Sequence, residues 1–341
     1  MSNEHRPHRP ASAATLADVA RAAGVSEITA SRVVRGRGPI SAATRAKVEA
    51  AIAAVGYVPN RLAGGLASAG SNLVGVVLPS LSNSVFPDVL SGLNAAIAGE
   101  RLRTLVAVTD YDLDAERDAV AALLAWRPAA LVVVGLEHRP ETREMMAASG
   151  ATIIELMDVE GEPVDLAVGL SHTAAGAAAA RRLLARGRSR IGYVGHGAGD
   201  LRAAKRRAGL EAALKRDADL ALAGAHVLDA PSSVGAGRAA LAALLDAAPE
   251  LDAVVFSNDD MALGGAFHCM AAGVDVPGRL ALVGFNGLEL ANALPKPLTT
   301  VRTARGEIGR IAGEMLCARL RGETPPRVTD VGFDVVAGGT D

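Results

Sequence analysis

At 341 residues, half of them hydrophobic, the chain is long enough for a sizeable core plus a smaller module. Its formal net charge of -2 conceals an asymmetry: residues 1–72 carry nine Lys and Arg against four acids (+5), and the rest carry 26 against 33 (-7), the profile of a basic nucleic-acid-reading module on an acidic body. Cys269 and Cys317 match no metal spacing, and no stretch offers an uninterrupted apolar span of about 20 residues, which sets aside disulfide scaffolds and membrane spans and leaves a cytoplasmic, cofactor-free protein as the expectation.

Residues 1–14 are polar, with His and Pro and no apolar centre, and read as a disordered tail. Thr15-Leu-Ala-Asp18 then has the form of a capping box, ahead of a helix that places Leu16, Val19, Ala20 and Ala23 on one face and stops at Gly24. Ser26 is the N-cap of a second helix through about Val34, with Ile28 or Ala30 and Val33 or Val34 available for different faces. A third helix follows from its N-cap Ser41 through Ala54, and Gly56 stands where a left-handed C-terminal residue belongs. Two short helices joined by a glycine turn form a helix-turn-helix; a plain three-helix bundle has the same spacing, and the local excess of basic residues favours the DNA reading over residues 15–58.

On that reading Glu27, Ile28 and Arg32 face base edges, while Thr29, Ser31 and the backbone around the caps Thr15 and Ser26 hold phosphates. Arg32 has the fork for a bidentate contact to guanine, and Glu27 either accepts from a cytosine amino group or is a solvated first-turn acid favoured by the helix dipole. Residues 59–71, with Gly64, Gly65, Ser68, Gly70 and Ser71, read as a linker that orders only on binding.

From Asn72 onward, apolar runs alternate with Ala-rich helical stretches: Leu73–Leu78, Thr104–Val108, Leu131–Val134, Thr152–Glu155, Ile191–Val194, Ala253–Phe256 and Leu280–Phe285. Continuous apolar strands separated by helices imply parallel sheets covered on both faces, here as two lobes, about 72–170 with 300–328 and about 171–299 with 329–341. Sites of such sheets lie beyond the strand C-termini, where this chain carries Ser80, Ser82, Asn83, Thr109, Asp110, Glu137, His138, Asp158, His196, Asp200, Asn258, Asp259 and Asn286. Hydroxyl, amide and carboxylate groups in a ring suit a polyhydroxylated ligand, although turns and caps collect the same residue types at strand ends. A basic run from Arg202 to Arg207 offers a carboxylate clamp, or a solvated helix face.

Thr15-Leu-Ala-Asp-Val-Ala-Arg-Ala-Ala-Gly-Val-Ser, Ser31-Arg-Val-Val and Gly56-Tyr-Val-Pro-Asn-Arg61 resemble the LacI family of transcription regulators. The segments Leu78-Pro-Ser-Leu-Ser-Asn-Ser-Val-Phe86, Glu155-Leu-Met-Asp158, Ser257-Asn-Asp-Asp-Met-Ala-Leu-Gly264, Gly332-Phe-Asp and Gly338-Gly339 narrow the resemblance to its gluconate-repressor branch. The resemblance implies an all-α helix-turn-helix DNA-binding head and an α/β two-lobed effector domain like that of periplasmic binding proteins. It further implies a hinge helix after Asn60 and Arg61, with Leu66 as the minor-groove wedge, and an effector held by Arg206 and Asp259. Ser80, Asn83, Phe86, His138, Asp158, Arg202 and Asn286 complete the expected effector contacts, the ligand being a sugar acid of the gluconate or 2-ketogluconate class. The expected partners are double-stranded, pseudo-palindromic operator DNA and a second copy of the chain, with no membrane and no metal; release by effector is expected, and a corepressor mode is the alternative. A solute-binding module would need export and no basic head, and an enzyme would need a phosphate loop, a nucleophile elbow or metal ligands that the sequence does not display.

Overall fold

The computed structural model describes residues 14–36, 38–58, 72–197, 199–229 and 231–341, and separates into two compact units, 1–71 and 72–341. In the first, α1 (Leu16–Ala23), α2 (Glu27–Arg35) and α3 (Ala42–Val55) close around Val19, Ala20, Ala30, Val33, Val48 and Ala51, with Leu16, Ile40, Ile52 and Tyr57 at the rim. The boundaries follow from local chemistry. The Asp18 N–H donates to Thr15 Oγ1 (3.3 Å) while the Thr15 N–H donates to Asp18 Oδ2 (2.9 Å), a reciprocal box. Ser26 and Ser41 accept from Thr29 N and Thr44 N, and Gly24 and Gly56 end their helices in the left-handed region.

The second unit holds two six-stranded sheets. The first comprises β1 (Leu73–Leu78), β2 (Arg103–Val108), β3 (Ala130–Val134), β4 (Thr152–Leu156), β5 (Leu166–Gly169) and β11 (Val328–Asp330), in the order β11-β5-β4-β3-β1-β2. The second comprises β6 (Ile191–His196), β7 (Gly224–Leu228), β8 (Ala253–Phe256), β9 (Ala281–Asn286), β10 (Thr299–Thr303) and β12 (Phe333–Val336), in the order β12-β10-β9-β8-β6-β7. Every neighbour pair is parallel except β10 with β12. The chain therefore passes between lobes after β5, after β10 and after β11. Thr300–Thr303 belong to the second sheet and Thr329 and Asp330 to the first, a shift of a few residues from the crossovers expected at 300 and 328.

Helices α4 (Val85–Ile97), α5 (Leu113–Ala125) and α6 (Pro140–Ala148) follow the strands of the first lobe; α7 (His172–Ala185), α8 (Leu201–Ala218), α9 (Val234–Ala247), α10 (Asp259–Ala272) and α11 (Glu289–Asn292) follow those of the second. Helix α12 (Arg305–Leu320) leaves the second lobe and packs on α4. Strands β5, β7, β10, β11 and β12 were not legible in the sequence. Thr299-Thr-Val-Arg-Thr303 is polar by composition yet almost wholly buried, because Thr299 Oγ1 donates to Asp341 and Thr300 Oγ1 to Asp259, so the hydroxyls enter the core satisfied. Cys269 and Cys317 are buried and unpaired, as core residues should be. Among the described residues no helix is long and apolar enough to cross a membrane.

Candidate effector cleft and DNA-reading helix

Helix α2 turns Ala30 and Val33 into the core of its unit, and this fixes the opposite face. Glu27, Ile28 and Arg32 are exposed, Ile28 at 67%, so the sequence's open choice between Ile28 and Ala30 is resolved with Ala30 inside. A largely exposed isoleucine on a polar helix face is a suitable contact for a thymine methyl, beside an arginine fork. Arg21 with Asp18 (2.9 Å) is the only ion pair among the described residues of this unit, so Arg32, Arg35, Arg45 and Lys47 present uncompensated positive charge. Ser26 and Thr29 are mutually hydrogen-bonded (2.9 Å), which orients the start of α2. Asn60, Arg61 and Leu66 lie outside the described residues.

In the second unit residues that follow strands of both sheets meet along the first turns of α8, where Lys205 pairs with Glu137 and Asp158 of the first lobe. Asp200 caps this helix, accepting from the Ala203 N–H (3.3 Å), and lies 3.6 Å from Arg202 and 3.7 Å from Arg206. Burial alone would raise the Asp200 carboxyl, but the two guanidiniums hold it below its ordinary value. Arg206 is strongly committed: Nη1 donates to His172 Nδ1 (3.0 Å), Nη2 to the Ser257 carbonyl (3.1 Å), and its plane lies 4.2 Å from the Phe285 ring centre. Only its buried Nε lacks a partner. His172 Nε2 lies 2.7 Å from the Met157 carbonyl, and burial and Arg206 push the ring well below its ordinary pKa, so the neutral tautomer carries its proton on Nε2.

This wiring depends on small residues. A Cβ on Gly176 would fall 1.8 Å from the Arg206 carbonyl oxygen, and one on Gly209 2.0 Å from that of Thr173, so only glycine lets α7 and α8 approach closely enough.

Lys205, one position earlier, reaches across to the first lobe, where Nζ meets Asp158 Oδ2 (2.5 Å), the Glu160 carbonyl (3.2 Å) and Glu137 Oε1. Burial opposes its charge, but Asp158 and Glu137 overcome this and hold Lys205 protonated. Arg202 differs from both neighbours. Its side chain is 12% exposed, yet its guanidinium makes no hydrogen bond among the described residues. Arg207 pairs with Glu211 (2.7 Å) on the helix surface.

The remaining expected contacts separate in the same way. Ser80 accepts from the Ser82 N–H (3.2 Å), while Asn83 accepts from the Val85 N–H (3.1 Å) and donates to the Tyr111 hydroxyl (3.5 Å), whose ring meets His196 edge-on at 5.6 Å. Asn286 ends β9 at φ +119°, its carbonyl accepts from Arg305, and its amide makes no hydrogen bond among the described residues. Three of the expected contacts have their own surroundings inside the fold. Phe86 is 3% exposed and belongs to the hydrophobic core. Asp259 is fully buried, one oxygen accepting from the Leu288 N–H (2.7 Å) and the other from the Thr300 hydroxyl (2.7 Å), and burial lifts its pKa to about 6. His138 is held between Glu116 (2.6 Å) and Glu155 (3.3 Å); burial alone would lower its pKa, but the two carboxylates push it to about 9. The partners of Asp259 and His138 are of the kind that turns and caps gather at strand ends. Tyr111, His172, Ser257 and Phe285 were missed, because nothing local marks them as neighbours of the α8 cations.

Residues 71–335 match the model of periplasmic binding proteins and sugar binding domain of LacI family, and residues 15–60 that of bacterial regulatory proteins, lacI family. The chain is 38% identical over 325 residues to the HTH-type transcriptional regulator GntR of Pseudomonas aeruginosa, covering 95% of this chain and 94% of that protein. A crystal structure of a LacI-family transcriptional regulator from Silicibacter pomeroyi superposes with a TM-score of 0.91 at 41% identity, covering 96% and 99% of the two chains. The lac repressor dimer bound to operator and the anti-inducer ONPF superposes with a TM-score of 0.79 at 27% identity, covering 96% and 99%.

Proposed function

The chain belongs to the LacI family of bacterial regulatory proteins, and from that premise we propose that it is a transcriptional repressor of sugar-acid genes, released from its operator when an acid of the gluconate or 2-ketogluconate class enters the cleft. The observation that carries the acid is Arg202: a guanidinium in the cleft whose five N–H donors have no hydrogen-bond acceptor among the described residues and match a carboxylate bidentately. Arg206, the clamp implied by resemblance, instead orders His172 and Ser257 around the pocket. Asn286 and Asn83 supply amides for sugar hydroxyls.

On DNA, two copies place α2 in successive major grooves of a pseudo-palindrome, with Asn60, Arg61 and Leu66 of each at the centre. Exposed apolar side chains in the second lobe, Phe267 (40%) and Met270 (54%) one turn apart on α10 and Leu290 (59%) on the adjoining α11, support self-association. Effector coupling of this type corresponds to about 1–3 kcal/mol.

The test is fluorescence anisotropy of labelled DNA from the region upstream of the protein's own gene, at fixed salt because phosphate contacts make affinity steeply salt-dependent. Specific binding lost on adding gluconate or 2-ketogluconate is the expected outcome. Binding that tightens with the acid reverses the sign to corepression, and turnover of either acid sinks the regulator-only reading.

A further inference from the structure

Three cations of α8, Arg202, Lys205 and Arg206, face three carboxylates, Glu137, Asp158 and Asp200, with the buried His172 neutral between them. With the Glu160 carboxylate also acting on Lys205, these cations are fully matched before any ligand enters. An acid effector adds a negative charge among largely buried charged side chains, where an uncompensated charge is costly, which favours taking the place of a carboxylate already there.

The three carboxylates are not equally replaceable. Asp158 is fully buried, and its second oxygen accepts from the Glu160 N–H (2.8 Å). Asp200 is 14% exposed and caps α8. Glu137 is 34% exposed, stands on the loop between β3 and α6, and makes no contact among the described residues other than its ion pair with Lys205. A methyl group placed on Gly135 would lie 3.9 Å from Glu137 Oε2 and 3.3 Å from an Arg202 terminal nitrogen, so both side chains approach Gly135 without forming an ion pair with each other. The Glu137 carboxylate thus holds Lys205 near Gly135, which the Arg202 guanidinium also approaches.

We propose that Glu137 is a specificity-determining residue, an internal carboxylate that occupies Lys205 close to the unbonded Arg202 guanidinium and is displaced by the effector's own carboxylate. This rests on the acid-effector reading for the identity of the ligand. The internal carboxylate makes a neutral sugar a poor effector, because it leaves Glu137 seated, and sets acid affinity by competition.

The full chain and its Glu137→Gln and Glu137→Ala variants are titrated calorimetrically with gluconate, 2-ketogluconate and glucose, and their thermal midpoints are followed in sulfate at constant ionic strength. Both variants are expected to bind the acid about ten-fold more tightly than wild type, as removal of one like charge from a partly exposed anion site predicts, with glucose unaffected. Sulfate should stabilise the variants more than wild type. Equal or weaker acid binding by both variants overturns the proposal while leaving the acid reading intact. If no protein binds either acid but sulfate still discriminates, the acid reading fails and the internal carboxylate stands; loss of the sulfate difference as well overturns both.

Discussion

Helices α2 and α8 each present basic side chains, and they do so in opposite ways. On α2, Arg32 and Glu27 project from a small core and make no hydrogen bond among the described residues, so their chemistry is available outward and contributes little to the fold. On α8, Lys205 and Arg206 are bound into a network reaching from Met157 to Ser257, whereas Arg202 makes no hydrogen bond among the described residues and only an ion pair with Asp200 at 3.6 Å. A surface reader keeps function separable from stability. A buried sensor makes most functional residues structural as well, and the separation survives only at the least-bonded member.

The sharpest way to break this comparison is through the close approach that wires α8. Gly176→Val forces a side chain against the Arg206 carbonyl and should cost about 3 kcal/mol of stability by overpacking, read as a large fall in thermal midpoint together with loss of acid binding. A fold that tolerates valine there would show that α7 and α8 are not held in contact.

Next comes the contrast within α8. Arg202→Ala should weaken acid binding by about 2–3 kcal/mol while leaving the thermal midpoint and operator affinity close to wild type. Arg206→Ala should lower both acid affinity and the midpoint, since His172 Nδ1 and the Ser257 carbonyl lose their donor. Equal stability losses in the two variants would remove the distinction drawn between them. On α2, Arg32→Ala is expected to cost about 1–3 kcal/mol of operator discrimination by anisotropy, with no change in midpoint, and Ile28→Ala less. If both bind operator like wild type, α2 does not read bases.

The smallest effect concerns a buried histidine outside the cleft network. His138 retains its proton to about pH 9 when folded, against about 6.5 when unfolded, so its stabilisation is complete below about 6.5 and is lost as pH rises through about 9. Between pH 7 and 8 this amounts to about 1 kcal/mol, visible as a falling thermal midpoint that His138→Gln should flatten.

The sequence by itself determined the helix-turn-helix, because capping boxes, Ser caps and left-handed glycines act within four residues of themselves. It determined the parallel sheets and the end at which a ligand sits, because apolar runs buried on both faces leave only the strand C-termini to carry polar groups. The roles within that ring were decided by the tertiary structure. Asp259, expected to meet the ligand, is also a buried acceptor for Thr300 and Leu288; His138 is clamped by Glu116 and Glu155, both distant along the chain. Helical spacing placed Arg202, Lys205 and Arg206 within two turns of one another but did not rank them. Whether a donor is free depends on which acceptors surround it, and those of α8 come from Glu137, Asp158, His172 and Ser257, which only the packing of the two lobes brings together.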